Sequence, residues 1–171
     1  MKIVMKEDSN TVDFGHARVK RGEKSGLVRE VFSEVSETYD LFNDIASLGF
    51  HRLWKKYALW LLNLKSGETL LDVASGSGDL AIKATKLVKP AGTVVMCDIN
   101  DRMLEHGRNR CLDEGKLIPL VKANAENLPF VENSFDKLTI GFGLRNITDK
   151  TKALHEFKRV LRPGGKALIL E

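Results

Sequence analysis

The chain has 171 residues, 43% hydrophobic and 29% charged, the mix of a globular domain large enough to bury a core. A net charge of +4 is spread along the chain and not gathered into a tail or stripe, so no nucleic-acid partner is expected. Two cysteines (Cys97 and Cys111) and scattered histidines suggest neither a disulfide framework nor a zinc site, and the expected setting is a reduced cytoplasm.

Residues 1–25 are polar and read as a loose segment, with a small basic cluster in "HARVKRGEK" that reads as solvated surface. The apolar run in "MKIVMKEDSN" is too short for a signal peptide, and "YALWLL" is too short to span a bilayer. Residues 26–65 predict a helical cap over a cofactor and substrate mouth. Its first helix carries Leu27, Val28, Val31, Phe32, Val35, Tyr39 and Phe42 at helical spacing. The second repeats the pattern with Phe50, Leu53, Trp54, Tyr57, Leu61 and Leu64. That stripe reads as core packing, with a groove for an isoprenoid chain as the alternative.

After "LKSGE" the rhythm changes. β-rich runs at 69–74, 93–97, 117–121, 135–141 and 166–170 alternate with helical patterns at 79–88, 101–113 and 149–161. Alternation of this kind predicts βαβ units. The fold class is therefore α/β: a doubly wound, Rossmann-like sheet of five parallel strands over 66–171, with the N-terminal helical cap beside it.

The loop in "LLDVASGSGDLA" carries the chemistry. It lacks the Gly-Lys-Ser/Thr of a nucleoside-triphosphate loop. A dinucleotide survives on spacing, because Asp98 lies 20 residues past Gly78 at a strand end, where an acid takes ribose hydroxyls. Asp72 argues against it. A carboxylate at the end of the first strand is unfavourable beside a pyrophosphate and favourable beside an ammonium and a sulfonium. S-adenosylmethionine (SAM) carries both. Gly76 and Gly78 would let the backbone approach its methionine part, and the following helix start favours its carboxylate. Asn124 and Ala125 follow the third strand and could read the adenine edge, with Ile99 and Met103 as apolar walls; an Asx turn is the alternative for Asn124.

With these pieces placed, the chain resembles the ubiquinone/menaquinone biosynthesis C-methyltransferases, a branch of the class I SAM-dependent methyltransferases. The stretches that carry the resemblance are "VFSEVSETYDLFNDIASLGFHRLWKK", "LLDVASGSGDLA", "ANAENLPFVENSFD", "FGLRNITDKTKAL" and "RVLRPGGKALILE". The resemblance implies methyl transfer to a ring carbon of a polyprenylated benzoquinol or of demethylmenaquinol. It places SAM contacts at Ser77, Asp98, Asn124, Ala125 and, where the family usually has serine, Gly141. Arg145 would stabilise a phenolate or orient a water, Asn146 would hold the ring oxygen, and Tyr39 would help close the site. The alternatives are an Arg145 salt bridge to Asp40 or Asp44, a capping role for Asn146 and a core role for Tyr39. The family resembles a seven-stranded sheet, so a shortened, non-catalytic SAM-binding module and another small-molecule SAM methyltransferase stay open as alternatives. Association with a membrane surface or a quinone-biosynthesis complex, and self-association through an open edge strand at 166–171, are the expected partner modes.

Overall fold

The computed structural model describes residues 11–14, 17–20, 22–24, 26–28 and 50–171. Two short antiparallel strands come first, β1 (Thr11–Phe14) and β2 (Ala17–Lys20). Helix α1 (Phe50–Leu62) leads into the main sheet. From there strands and helices alternate: β3 (Thr69–Val73), α2 (Asp79–Val88), β4 (Thr93–Asp98), α3 (Asp101–Asp113) and β5 (Leu120–Lys122). The second half adds β6 (Phe135–Gly141), a 3₁₀ turn (Leu144–Asn146), α4 (Lys150–Val160) and β7 (Leu161–Leu170).

The strand order is β5-β4-β3-β6-β7, every pair parallel. The chain winds outward from β3 in one direction and then returns beside it to wind the other way. The crevice between the C-terminal ends of β3 and β6 is thus the topological switch point, the place where such sheets bind ligands.

Burial explains why β3 is a strand. Leu70, Leu71 and Val73 are fully buried because helices cover both faces, so the strand reads as an apolar run and not as an alternation. The pleat still sorts them. Leu70 joins a core with Leu59, Leu80, Val94 and Met96, whereas Leu71 and Val73 join one with Leu138, Ile140, Ala153 and Phe157. Each such side chain contributes about 1.5–3 kcal/mol by leaving water. The helix starts are fixed by side chains: Asn100 Oδ1 accepts from the Arg102 and Met103 N–H groups at 3.0 and 3.3 Å, and Asp149 Oδ1 from Lys152 N–H at 3.1 Å.

The helices predicted at 79–88 and 101–113 and the strand at 135–141 have those bounds in the structure. The strand predicted at 117–121 is Leu120–Lys122, beginning only after Pro119, which has no N–H to give to a ladder. The last strand begins five residues earlier than predicted, at Leu161, and runs through the Pro-Gly-Gly stretch with a register shift against β6.

Two features differ from the sequence reading. The segment read as loose contains the β1–β2 hairpin, in which Phe14 pairs with Ala17. The second cap helix forms, but its stripe faces outward. Lys55, Ala58, Leu59 and Leu62 are buried, while Leu53, Trp54, Tyr57, Trp60 and Leu61 are exposed, and Tyr57 stacks on Trp60 at 5.5 Å. Core packing of the stripe is therefore incorrect for Leu53, Trp54, Tyr57 and Leu61. The first cap helix lies outside the described residues beyond Val28, and Tyr39, Asp40 and Asp44 lie there with it.

Candidate functional site

Past Val73 the chain makes a tight turn before α2. Ala74 and Gly76 adopt left-handed backbone (φ 51° and 53°), and Gly78 follows at φ 77° as the residue before the helix. Only glycine takes that last conformation without a Cβ penalty. The turn is closed by the Gly78 N–H on Ser75 O at 2.9 Å, and tied to β4 by the Ser75 N–H on Cys97 O at 3.0 Å. Phe142, just after β6, is left-handed too (φ 57°). Non-glycine residues held this way cost about 1–3 kcal/mol each and persist where the surroundings over-determine them. Ala74 and Phe142 line one cavity at the switch point. Gly107 lets α3 close against the turn: a Cβ there would stand 2.8 Å from Gly76 O and 2.7 Å from Met96 Cε.

Two buried carboxylates define the cavity's chemistry. Asp98, at the end of β4, accepts from Gly76 N–H through Oδ2 and from Asn100 N–H through Oδ1, both at 2.9 Å. Burial raises its pKa, and the Asn100, Gly76 and Ile99 backbone donors partly offset this. Asp72, at 1% exposure, accepts from Thr139 Oγ1 at 2.6 Å through Oδ1. Its Oδ2 is buried without a partner, as is Ser75 Oγ. Burial pushes Asp72 up to about 7, against the pull of the Thr139 hydroxyl, of Lys55 and of the Ala81 backbone N–H. A buried, unpartnered carboxylate oxygen costs folding free energy, so it signals a cationic or hydrogen-donating ligand.

Of the residues expected to bind or act, Asp72, Gly76, Ser77, Asp98, Asn124, Ala125, Gly141 and Asn146 come together in the lining, with Ile99 and Met103. Gly78 and Arg145 are set apart from it. Gly78 packs instead on Met96, whose Cε would be 2.7 Å from an added Cβ. The Arg145 guanidinium meets Glu171 at 3.2 Å and lies 5.8 Å from the centre of the Phe142 ring. The Asx turn at Asn124 is present, its Oδ1 accepting from Glu126 N–H at 2.9 Å. That leaves its amide NH₂ as the donor it has to offer. The sequence reading missed Lys55 and Asn100. Asn100 was legible as the N-cap between Asp98 and a helix, but nothing local marks Lys55 among the cations of "HRLWKK".

The model of the ubiE/COQ5 methyltransferase family matches residues 18–171. The chain belongs to that family. It is 50% identical over 166 residues to the ubiquinone/menaquinone biosynthesis C-methyltransferase UbiE of Hahella chejuensis, covering 96% of this chain and 67% of the relative. Against the UbiE of Pseudomonas putida the identity is 51% over 163 residues, covering 94% and 64%. The chain thus spans about two thirds of the length of these methyltransferases. Among solved structures, a SAM-dependent methyltransferase of Aquifex aeolicus superposes with a TM-score of 0.63 at 27% identity, covering 67% of this chain and 62% of that one. A putative methyltransferase of Bacillus halodurans gives a TM-score of 0.64 at 28% identity, covering 67% and 49%. The five-stranded parallel sheet is accordingly the class I methyltransferase sheet of the ubiE/COQ5 family.

Proposed function

We propose that the chain is a SAM-dependent C-methyltransferase that acts on a polyprenylated benzoquinol or demethylmenaquinol in ubiquinone/menaquinone biosynthesis. The observation that carries this reading is the unpartnered Asp72 Oδ2, buried in one cavity with Asp98 behind the glycine turn. An ammonium group fits it, and a pyrophosphate does not. Family membership favours the transferase over a non-catalytic module.

When bound, SAM supplies an electrophilic methyl on a sulfonium that leaves as a neutral thioether. The chain's part is placement. Asp98 accepts the ribose hydroxyls, Asp72 the ammonium, and Asn124 with Ala125 meets the adenine edge between Ile99 and Met103. Ser77 and Gly76 present the turn backbone to the amino-acid end, while Gly141 contributes its backbone alone. Asn146, in the cavity lining, would hold the ring oxygen and so orient the acceptor. Arg145 neighbours Asn146 on the 3₁₀ turn and would have to leave Glu171 to meet a phenolate. Tyr39, proposed to help close the site, lies outside the described residues.

Calorimetric titration should give saturable binding of SAM and none of NADH, and a reduced demethylmenaquinone or benzoquinone analogue should then accept a labelled methyl. Saturation by NADH without SAM binding would revive the dehydrogenase; methylation of unrelated phenols in preference to quinols would shift the acceptor class.

Among the described residues no helix is long and apolar enough to cross a membrane. Self-association through 166–171 would use β7, which among the described residues pairs with β6 alone. Light scattering across a concentration series should report dimers or larger species. A strictly monomeric solution would overturn that mode.

A further inference from the structure

Helix α1 brings one cation into the cavity wall. Lys55 is 9% exposed, its Nζ stands 3.0 Å from Asp79 Oδ2, and both residues line the cavity. The other oxygen of Asp79 is shared by Lys83 of its own helix and by Arg110 of α3 at 3.1 Å. One carboxylate therefore meets three cations. Burial works to raise the pKa of Asp79, yet Lys55 and Lys83 hold it well below the usual carboxylate range. Lys83 and Arg110 meet Asp79 through Oδ1 and Lys55 meets it through Oδ2, so two cations remain on Asp79 if the Lys55 ammonium turns to another anion. Asp72, close enough for its charge to be stabilised by Lys55, lines the same cavity with Oδ2 unpartnered. An acid and an ammonium in the wall of one cavity match a ligand group that carries the opposite charges on neighbouring atoms. An α-amino-acid zwitterion is such a group.

We propose that Lys55 is a positioning residue for the cofactor's α-carboxylate, pairing with Asp72 to recognise the amino-acid end and tying the docking of α1 to its presence. The proposal deepens the SAM reading and rests on it. The ligand carboxylate competes with Asp79 Oδ2 for the Lys55 ammonium, and Lys83 with Arg110 keeps Asp79 compensated while it does so. The site should therefore discriminate adenosyl amino acids from adenosyl thioethers that lack the amino-acid tail.

Calorimetry on the whole chain tests this with S-adenosylhomocysteine and 5′-methylthioadenosine, which share the adenosine and the thioether. Lys55→Met should weaken S-adenosylhomocysteine by about tenfold or more, as expected for loss of a charge-assisted bond. It should leave 5′-methylthioadenosine within twofold, and Lys55→Arg should restore most of the loss. Equal losses on both ligands would make Lys55 a mere strut for α1, and no loss on either would be equally fatal. Should the Met variant fail to fold, decarboxylated S-adenosylhomocysteine on the unaltered chain decides: about tenfold weaker binding supports the proposal, and equal affinity overturns it. Failure of the unaltered chain to bind SAM or S-adenosylhomocysteine at all would instead overturn the cofactor reading, and the role of Lys55 with it.

Discussion

Asp98→Ala is expected to weaken SAM binding by about a hundredfold or more. The substitution removes a charged acceptor for two ribose hydroxyls, at ~1.5–3 kcal/mol for each bond, where 1.4 kcal/mol is tenfold. It also strands the Gly76 and Asn100 N–H groups that the carboxylate now accepts at 2.9 Å. Part of the loss would come from a less ordered turn, so the informative companion is Asp98→Asn, which keeps one oxygen and should lose roughly tenfold. Thermal melts of both variants separate folding from affinity. An affinity for Asp98→Ala within twofold of the parent would remove Asp98 from the site.

The second large effect is a pH dependence set by Asp72. With its pKa pushed up to about 7 by burial, the free protein holds this group protonated under mildly acidic conditions. An ammonium ligand needs the ionised form. SAM affinity should therefore fall towards tenfold per pH unit below about 7, with a proton released from Asp72 on binding. The sign for folding is the reverse. A carboxyl whose folded pKa lies above its unfolded value leaves the native state with more bound protons between the two, so free-protein stability declines as pH rises from about 4 to about 7. Asp72→Asn should thus stabilise the free protein at pH 8, with Thr139 still donating to the amide oxygen, while it lowers SAM affinity and flattens its pH profile. A pH-independent affinity in the unaltered chain would show that Asp72 does not meet the ammonium.

The parts of the fold that were legible are those in which periodicity and turn chemistry act locally. Asp72, the small-residue turn and Asp98 belong to two βα units whose helices keep their predicted bounds, so much of the cavity lining could be assembled from the sequence. Helical periodicity states which residues share a face, but not which face meets the protein. On α1 the stripe of Leu53, Trp54, Tyr57 and Leu61 points to solvent, and Lys55 takes the buried side with Ala58 and Leu59. The hairpin was written in "TVDF" and "ARVK", two short alternating runs around Gly15, and their polar residues hid it. Lys24, read with its basic cluster as solvated surface, is a correction of a different kind. It is buried at 3% exposure, donating to Arg145 O at 3.2 Å and to Ile147 O at 3.4 Å, and no local pattern announces a contact across 121 residues.

The central place of β3 has a consequence for how the molecule is made. Its partner on one side, β4, begins about twenty residues later, but β6 on the other side begins only at Phe135. A ribosome adding about 5–20 residues per second leaves that flank of β3 without its neighbour for several seconds. During that interval Leu70, Leu71 and Val73 form an apolar strand paired on one side only. The nascent chain is open to misassociation there, in a segment whose apolar side chains are fully buried in the finished domain.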